Sequence, residues 1–89
     1  MTERYLEVTY QNGKALAAYL YLPLAPGAKS ARTAKAGAGL LVDYAEGGEA
    51  IGLEITAPTQ VTVEQINVVL HALGQPGIEP GELAPLRAA

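Results

Sequence analysis

Residues Tyr5 to Tyr10 read Tyr-Leu-Glu-Val-Thr-Tyr, partly alternating in polarity and rich in strand formers, and Asn12-Gly13 follows at once. A type I′ turn needs positive φ at both central residues, and Asn-Gly tolerates that, so the pattern predicts a hairpin. A two-residue turn pairs Tyr10 with Ala15, Val8 with Ala17 and Leu6 with Tyr19. The other face then sets Tyr5, Glu7 and Thr9 against Leu20, Ala18 and Leu16, with Leu22 beyond. That face is too apolar to stand in water, so something should cover it.

A second hairpin is predicted from Leu40–Tyr44 and Ile51–Ile55, which flank Glu46-Gly47-Gly48-Glu49. Side chains alternate along a strand, so the length of the turn decides which residues meet. A two- or four-residue turn centred on Gly47-Gly48 sets Leu40, Val42 and Tyr44 against Ile55, Leu53 and Ile51. Asp43, Gly52 and Glu54 then share the opposite face. A three-residue turn would break the match unless a bulge restored it. Between the hairpins, Lys29, Arg32 and Lys35 recur at three-residue spacing in an Ala/Gly-rich stretch, 27–39, without an apolar stripe. The expectation is an exposed edge strand carrying protective charges.

Pro58 ends the last strand, and a helix start follows. Thr62 can cap it, Gln65 completes a capping box, and Val61 with Ile66 can form a hydrophobic staple. Val63, Ile66, Leu70 and Leu73 make a stripe at helical spacing, and Gly74 stops the helix with Pro76 behind it. Residues 75–89 hold three prolines and no periodicity. The expected fold is therefore α+β: an antiparallel β-meander of two hairpins, four to five strands, with one C-terminal amphipathic helix packed on one face. Residues 1–74 form the single domain and 75–89 a Pro/Gly-rich tail that either lies along the domain or stays mobile.

Composition narrows the function. A chain of 89 residues supports one thin core, which makes help from a partner chain plausible. With no cysteine there is no disulfide, thiolate zinc site, iron–sulfur cluster or cysteine nucleophile. Nine acidic against six basic residues give a net charge of -3, with no basic stripe to follow a phosphate backbone, so direct nucleic-acid binding is not expected. The longest apolar run, 16–24, is about half the length of a membrane helix, and no signal-peptide pattern opens the chain, so the expected compartment is the cytoplasm.

Convergent polar groups are scarce. His71 stands in line with Asn67 and Glu64 on the outward side of the helix, which reads as a solvated face with a histidine favourably placed near the helix C-terminus. Asp43 and Glu54 can face each other diagonally across the second hairpin, the arrangement of a carboxylate pair in acid–base work. On an open sheet both would stay hydrated. The Gly-rich stretches 37–39 and 47–48 match no phosphate loop and read as turns. No catalytic residue, metal site or cofactor is assigned. Tyr5, Tyr19 and Tyr21 cluster in the first hairpin, where they suit either a contact surface or cross-strand packing.

Three segments carry a family resemblance: Ala17-Ala18-Tyr19-Leu20-Tyr21-Leu22, Leu41-Val42-Asp43-Tyr44, and Gly48-Glu49-Ala50-Ile51-Gly52-Leu53-Glu54-Ile55. Together they resemble the small bacterial YuzE-like domains of unknown function, over roughly Tyr5 to Ile55. Where members of that family usually carry acidic residues, this chain has Gln11 and Leu16. The resemblance implies an antitoxin-like partner of a small basic toxin.

The leading expectation is a non-enzymatic protein-binding module that self-associates as a dimer or binds a small protein, with Tyr5, Leu16, Leu20 and Leu22 as the interface. The alternatives are a small hydrolase or ligand-binding enzyme using Asp43, Glu54 and His71, and a structural unit whose tail folds on a partner.

Overall fold

Asn12 and Gly13 adopt φ of 54° and 77° in the computed structural model, so the first turn forms as its sequence requires. The structure describes residues 4–23 and 29–87, Arg87 by its backbone only. The turn joins β1 (Tyr5–Gln11) to β2 (Lys14–Tyr21), and Tyr10 pairs with Ala15 as expected. Beyond that pair the register shifts. Thr9 lies opposite Ala17, Val8 opposite Ala18 and Leu6 opposite Leu20, which leaves Leu16 as the extra residue of a β-bulge. One extra residue moves every later side chain of β2 to the other face. Leu20 and Leu22 therefore join Leu6 and Val8 on the core side, while Tyr19 and Tyr21 join Tyr5 and Glu7 on the outer side. This corrects the expected face assignment.

The second hairpin, β4 (Leu40–Ala45) and β5 (Ala50–Ile55), uses the same device. The Ala45 N–H donates to the Glu49 carbonyl and the Gly48 N–H to the Ala45 carbonyl, with Gly48 at φ 96°. The loop is thus the three-residue kind, Glu46 to Gly48, and not the even-numbered turn expected from the pattern. A bulge at Ile51 restores the alternation: Tyr44 pairs with Ala50, Asp43 with Gly52, Val42 with Leu53 and Leu40 with Ile55. β3 (Ser30–Gly37) pairs with β4 at the sheet edge, irregular at Ala31 and Ala36 and carrying Arg32 and Lys35, as an edge strand with protective charges should. The rest of the 27–39 stretch that falls at 27–28 lies outside the described residues.

The five strands make one antiparallel sheet in the order β1-β2-β5-β4-β3. This is not a simple meander. β2 pairs with β5, so the connection leaving β2 must cross to the far edge before the chain returns strand by strand to the centre.

α1 (Val63–Ala72) starts at a Thr62–Gln65 capping box, with the Gln65 N–H donating to Thr62 Oγ1 and the Thr62 N–H to Gln65 Oε1. At its end the Gly74 N–H reaches the His71 carbonyl and the Gln75 N–H the Leu70 carbonyl, a Schellman ending that Gly74 permits at φ 73°. Ile66, Val69 and Leu70 are buried with the sheet residues Leu20, Leu40, Val42, Leu53 and Ile55 in one cluster. α1 is not the last element, because a 3-10 turn (Pro80–Leu83) and a short α2 (Ala84–Arg87) follow.

Residues 75–87 belong to the core. Ile78, Leu83 and Leu86 are buried in that same cluster, against which Leu6 and Val8 also pack. Polar groups fix the segment along its length: Asn67 holds the backbone of Ile78 with both ends of its amide, at 2.6 and 3.3 Å. The Arg4 guanidinium donates to the carbonyls of Pro76 and Gly77, and Tyr10 Oη donates to the Pro85 carbonyl at 2.8 Å. A boundary at residue 74 is therefore no domain boundary, and a tail that folds only on a partner is replaced by one already folded. Among the described residues, no helix is long and apolar enough to cross a membrane.

Candidate functional site

α1 and residues 75–87 cover one face of the sheet, and the other face, which no element among the described residues covers, carries two rows of paired residues running from edge to edge. The first row is Tyr5, Tyr21, Gly52, Asp43 and Thr33. The second is Glu7, Tyr19, Glu54, Leu41 and Lys35. The Leu16 bulge puts the tyrosines here, since without it Leu20 would stand opposite Tyr5, where Tyr21 now stands.

The rows are stitched together by tyrosines. Tyr19 leans from its row across Gly52, where no side chain blocks it, and its hydroxyl donates to Asp43 Oδ2 at 2.8 Å. Thr33 Oγ1 donates to Asp43 Oδ1. Asp43 is only 7% exposed although it lies on the uncovered face, because the Tyr19 ring and its strand neighbours enclose it. Among the described residues no buried polar side-chain atom lacks a hydrogen-bond partner, so this buried carboxylate is satisfied. Tyr21 Oη reaches Glu7 Oε1 at 3.0 Å. Its ring stacks on Tyr5 at 4.5 Å between centroids and meets Tyr19 edge-on at 4.7 Å.

Burial, and then the hydrogen bond to Asp43, push the Tyr19 hydroxyl well above the ordinary phenol range. The hydrogen bond to Glu7 raises Tyr21 in the same direction. Partial burial raises the Glu54 carboxyl, and the neighbouring Asp43 adds to the shift. Each tyrosine is thereby held as a neutral donor, and Glu54 gives up its proton reluctantly.

Sequence reasoning placed Asp43 and Glu54 on one face, and the structure brings them together there. It does not bring His71 to them: that side chain is exposed on α1, on the far side of the sheet. Nor is the Glu64, Asn67, His71 line a plain solvated face, since Asn67 clamps Ile78. Surface hollows among the described residues lie elsewhere. One of about 200 Å³ sits between Gly37, Leu40 and Val68 to Val69, and a shallow one of about 470 Å³ lies beside Lys29 and Glu46.

Of the expected interface residues, Tyr5 (48%) and Leu16 (54%) are exposed. Leu20 and Leu22 are not available to a partner, being 1% and 2% exposed beneath the C-terminal segment and α1. The physical reason is the Leu16 bulge, which turned them inward. Tyr19 and Tyr21, weighed as either contact surface or cross-strand packing, lie on the outer face beside Tyr5 together with Glu7, which was not among the expected interface residues.

No protein-family model matches the chain, and no curated protein or solved structure matches it either. The resemblance to YuzE-like domains rests on the quoted motifs alone.

Proposed function

We propose that the chain is a non-enzymatic protein-binding module that takes a basic, arginine-bearing partner on the uncovered face of its sheet. The observation that carries this reading is the composition of the two outer rows. They present three stacked or edge-on tyrosines with the carboxylates of Glu7 and Glu54, above the buried Asp43, against one cation, Lys35. Tyrosine rings offer rigid contact area whose hydroxyl tolerates water, and a guanidinium stacks on such rings while pairing with a carboxylate. The excess of carboxylates steers a basic surface and disfavours an acidic one. An antitoxin-like role towards a small basic protein, as the family resemblance implies, is one form of this activity.

The experiment is fluorescence anisotropy with a labelled, capped peptide that alternates Arg and Ala, at low and at moderate salt. Glu7→Lys or Glu54→Lys should weaken binding by roughly tenfold, consistent with losing one close charge pair. Glu64→Lys, on α1 across the sheet, should change it far less. Equal weakening by all three would reduce the effect to net charge and remove the reading.

A further inference from the structure

The two edges of the sheet are built differently. β3 carries Arg32 and Lys35 and is irregular at Ala31 and Ala36, all features that resist pairing with another strand. β1 has none of these protections. Its residues Tyr5 to Gln11 keep a regular alternation, because the bulge in the first hairpin lies on β2 at Leu16. It contains no proline, glycine, lysine or arginine, and its one charge, Glu7, is tied to Tyr21. Among the described residues, three of the four exposed large hydrophobic side chains, Tyr5, Tyr10 and Leu16, belong to this hairpin.

We propose that β1 is a self-association edge, at which a second copy of the chain adds its own β1 in antiparallel register about Val8. That register pairs all seven residues. Val8 meets Val8, Leu6 meets Tyr10, Glu7 meets Thr9 and Tyr5 meets Gln11. It keeps the faces aligned, so Leu6, Val8 and Tyr10 of both copies extend the covered side and Tyr5, Glu7 and Thr9 the open side. It also avoids the opposition of Glu7 to Glu7 that a register centred on Glu7 would impose, which is destabilising in a sheet. The result is a ten-stranded antiparallel sheet in which the two uncovered faces become one surface. The proposal stands on the edge and its register, and does not depend on what that surface binds.

Sedimentation equilibrium over a wide concentration range tests it, with far-UV circular dichroism confirming that each variant is folded. The wild-type chain should show a monomer–dimer equilibrium that tightens with salt, because two chains of net charge -3 repel. Thr9→Glu places a carboxylate opposite Glu7 twice by symmetry and should weaken the dimer roughly tenfold. The double change Glu7→Lys with Thr9→Glu turns both oppositions into attractions and should restore it. Should Thr9→Glu fail to fold, contacts between differently isotope-labelled wild-type copies decide the matter: nuclear Overhauser effects between Leu6 of one and Tyr10 of the other are expected. A wild type that stays monomeric throughout, a Thr9→Glu dimer as tight as wild type, no restoration by the double change, or inter-copy contacts elsewhere would each overturn the proposal.

Discussion

The ring of Tyr19 occupies the space that a β-carbon on Gly52 would need. Glycine is required there for the close approach of a side chain, since Gly52 is not at positive φ. Gly52→Ala should displace the ring and cost about 1–3 kcal/mol, the usual range for overpacking. In a Tyr19→Ala background the same change should be close to neutral. Urea denaturation of the four proteins of this cycle measures the coupling, and a cost independent of Tyr19 would contradict the assignment.

Removing only the hydroxyl isolates the hydrogen bond. Tyr19→Phe keeps the ring over Gly52 but takes from Asp43 the hydroxyl donor at Oδ2, while Thr33 still donates to Oδ1. A buried carboxylate that loses a donor should lower stability by about 1–3 kcal/mol. Thr33→Val should act in the same direction, and the two losses should not add, because both act on one carboxylate.

Glu54 gives the face a dependence on pH. Its carboxyl is raised in the folded chain, so the folded state holds the proton more tightly than the unfolded one. That contribution is fully present below the unfolded value and is lost as pH rises through the folded one. Glu54→Gln should therefore raise the Tm relative to wild type at pH 7, and the gain should vanish below about pH 4, near the unperturbed glutamate value. An equal gain at both pH values would show that the effect is not ionisation.

The C-terminal segment should behave as core. Leu83→Ala or Leu86→Ala should cost about 2–5 kcal/mol, as for other buried leucines. Deleting 75–89 takes Ile78, Leu83 and Leu86 out of the core cluster and should abolish cooperative thermal unfolding. A truncated chain that melts as sharply as the full one would return the segment to the status of a tail.

Local chemistry was legible in the sequence and long-range geometry was not. Asn12-Gly13, the Thr62–Gln65 box and the Gly74 stop are decided by φ preferences and hydrogen bonds within a few residues, and all three formed as expected. The bulges at Leu16 and Ile51 are decided by what the strand must present to its neighbours, and no local signal marks them. In the second hairpin the bulge offset the odd loop, so the predicted meeting of Leu40 with Ile55 and Val42 with Leu53 survived. In the first it inverted β2, sending Leu20 and Leu22 inward and Tyr19 and Tyr21 outward. Ile78, Leu83 and Leu86 were hidden for another reason: they reach the core from irregular and tightly turned backbone, so no helix or strand period announces them. That Asp43 and Glu54 share one face, diagonally across the hairpin, was legible because both lie within it.

The central claim is that the uncovered tyrosine and carboxylate face is a docking surface. Chemical-shift mapping of the isotopically labelled chain, titrated with the alternating Arg-Ala peptide, tests it most directly. The shifts should gather on Tyr5, Glu7, Tyr19, Tyr21 and Glu54 and spare α1 and the segment around Ile78. Shifts centred on α1 or the C-terminal segment, or none at all at peptide concentrations that saturate the anisotropy signal, would contradict it.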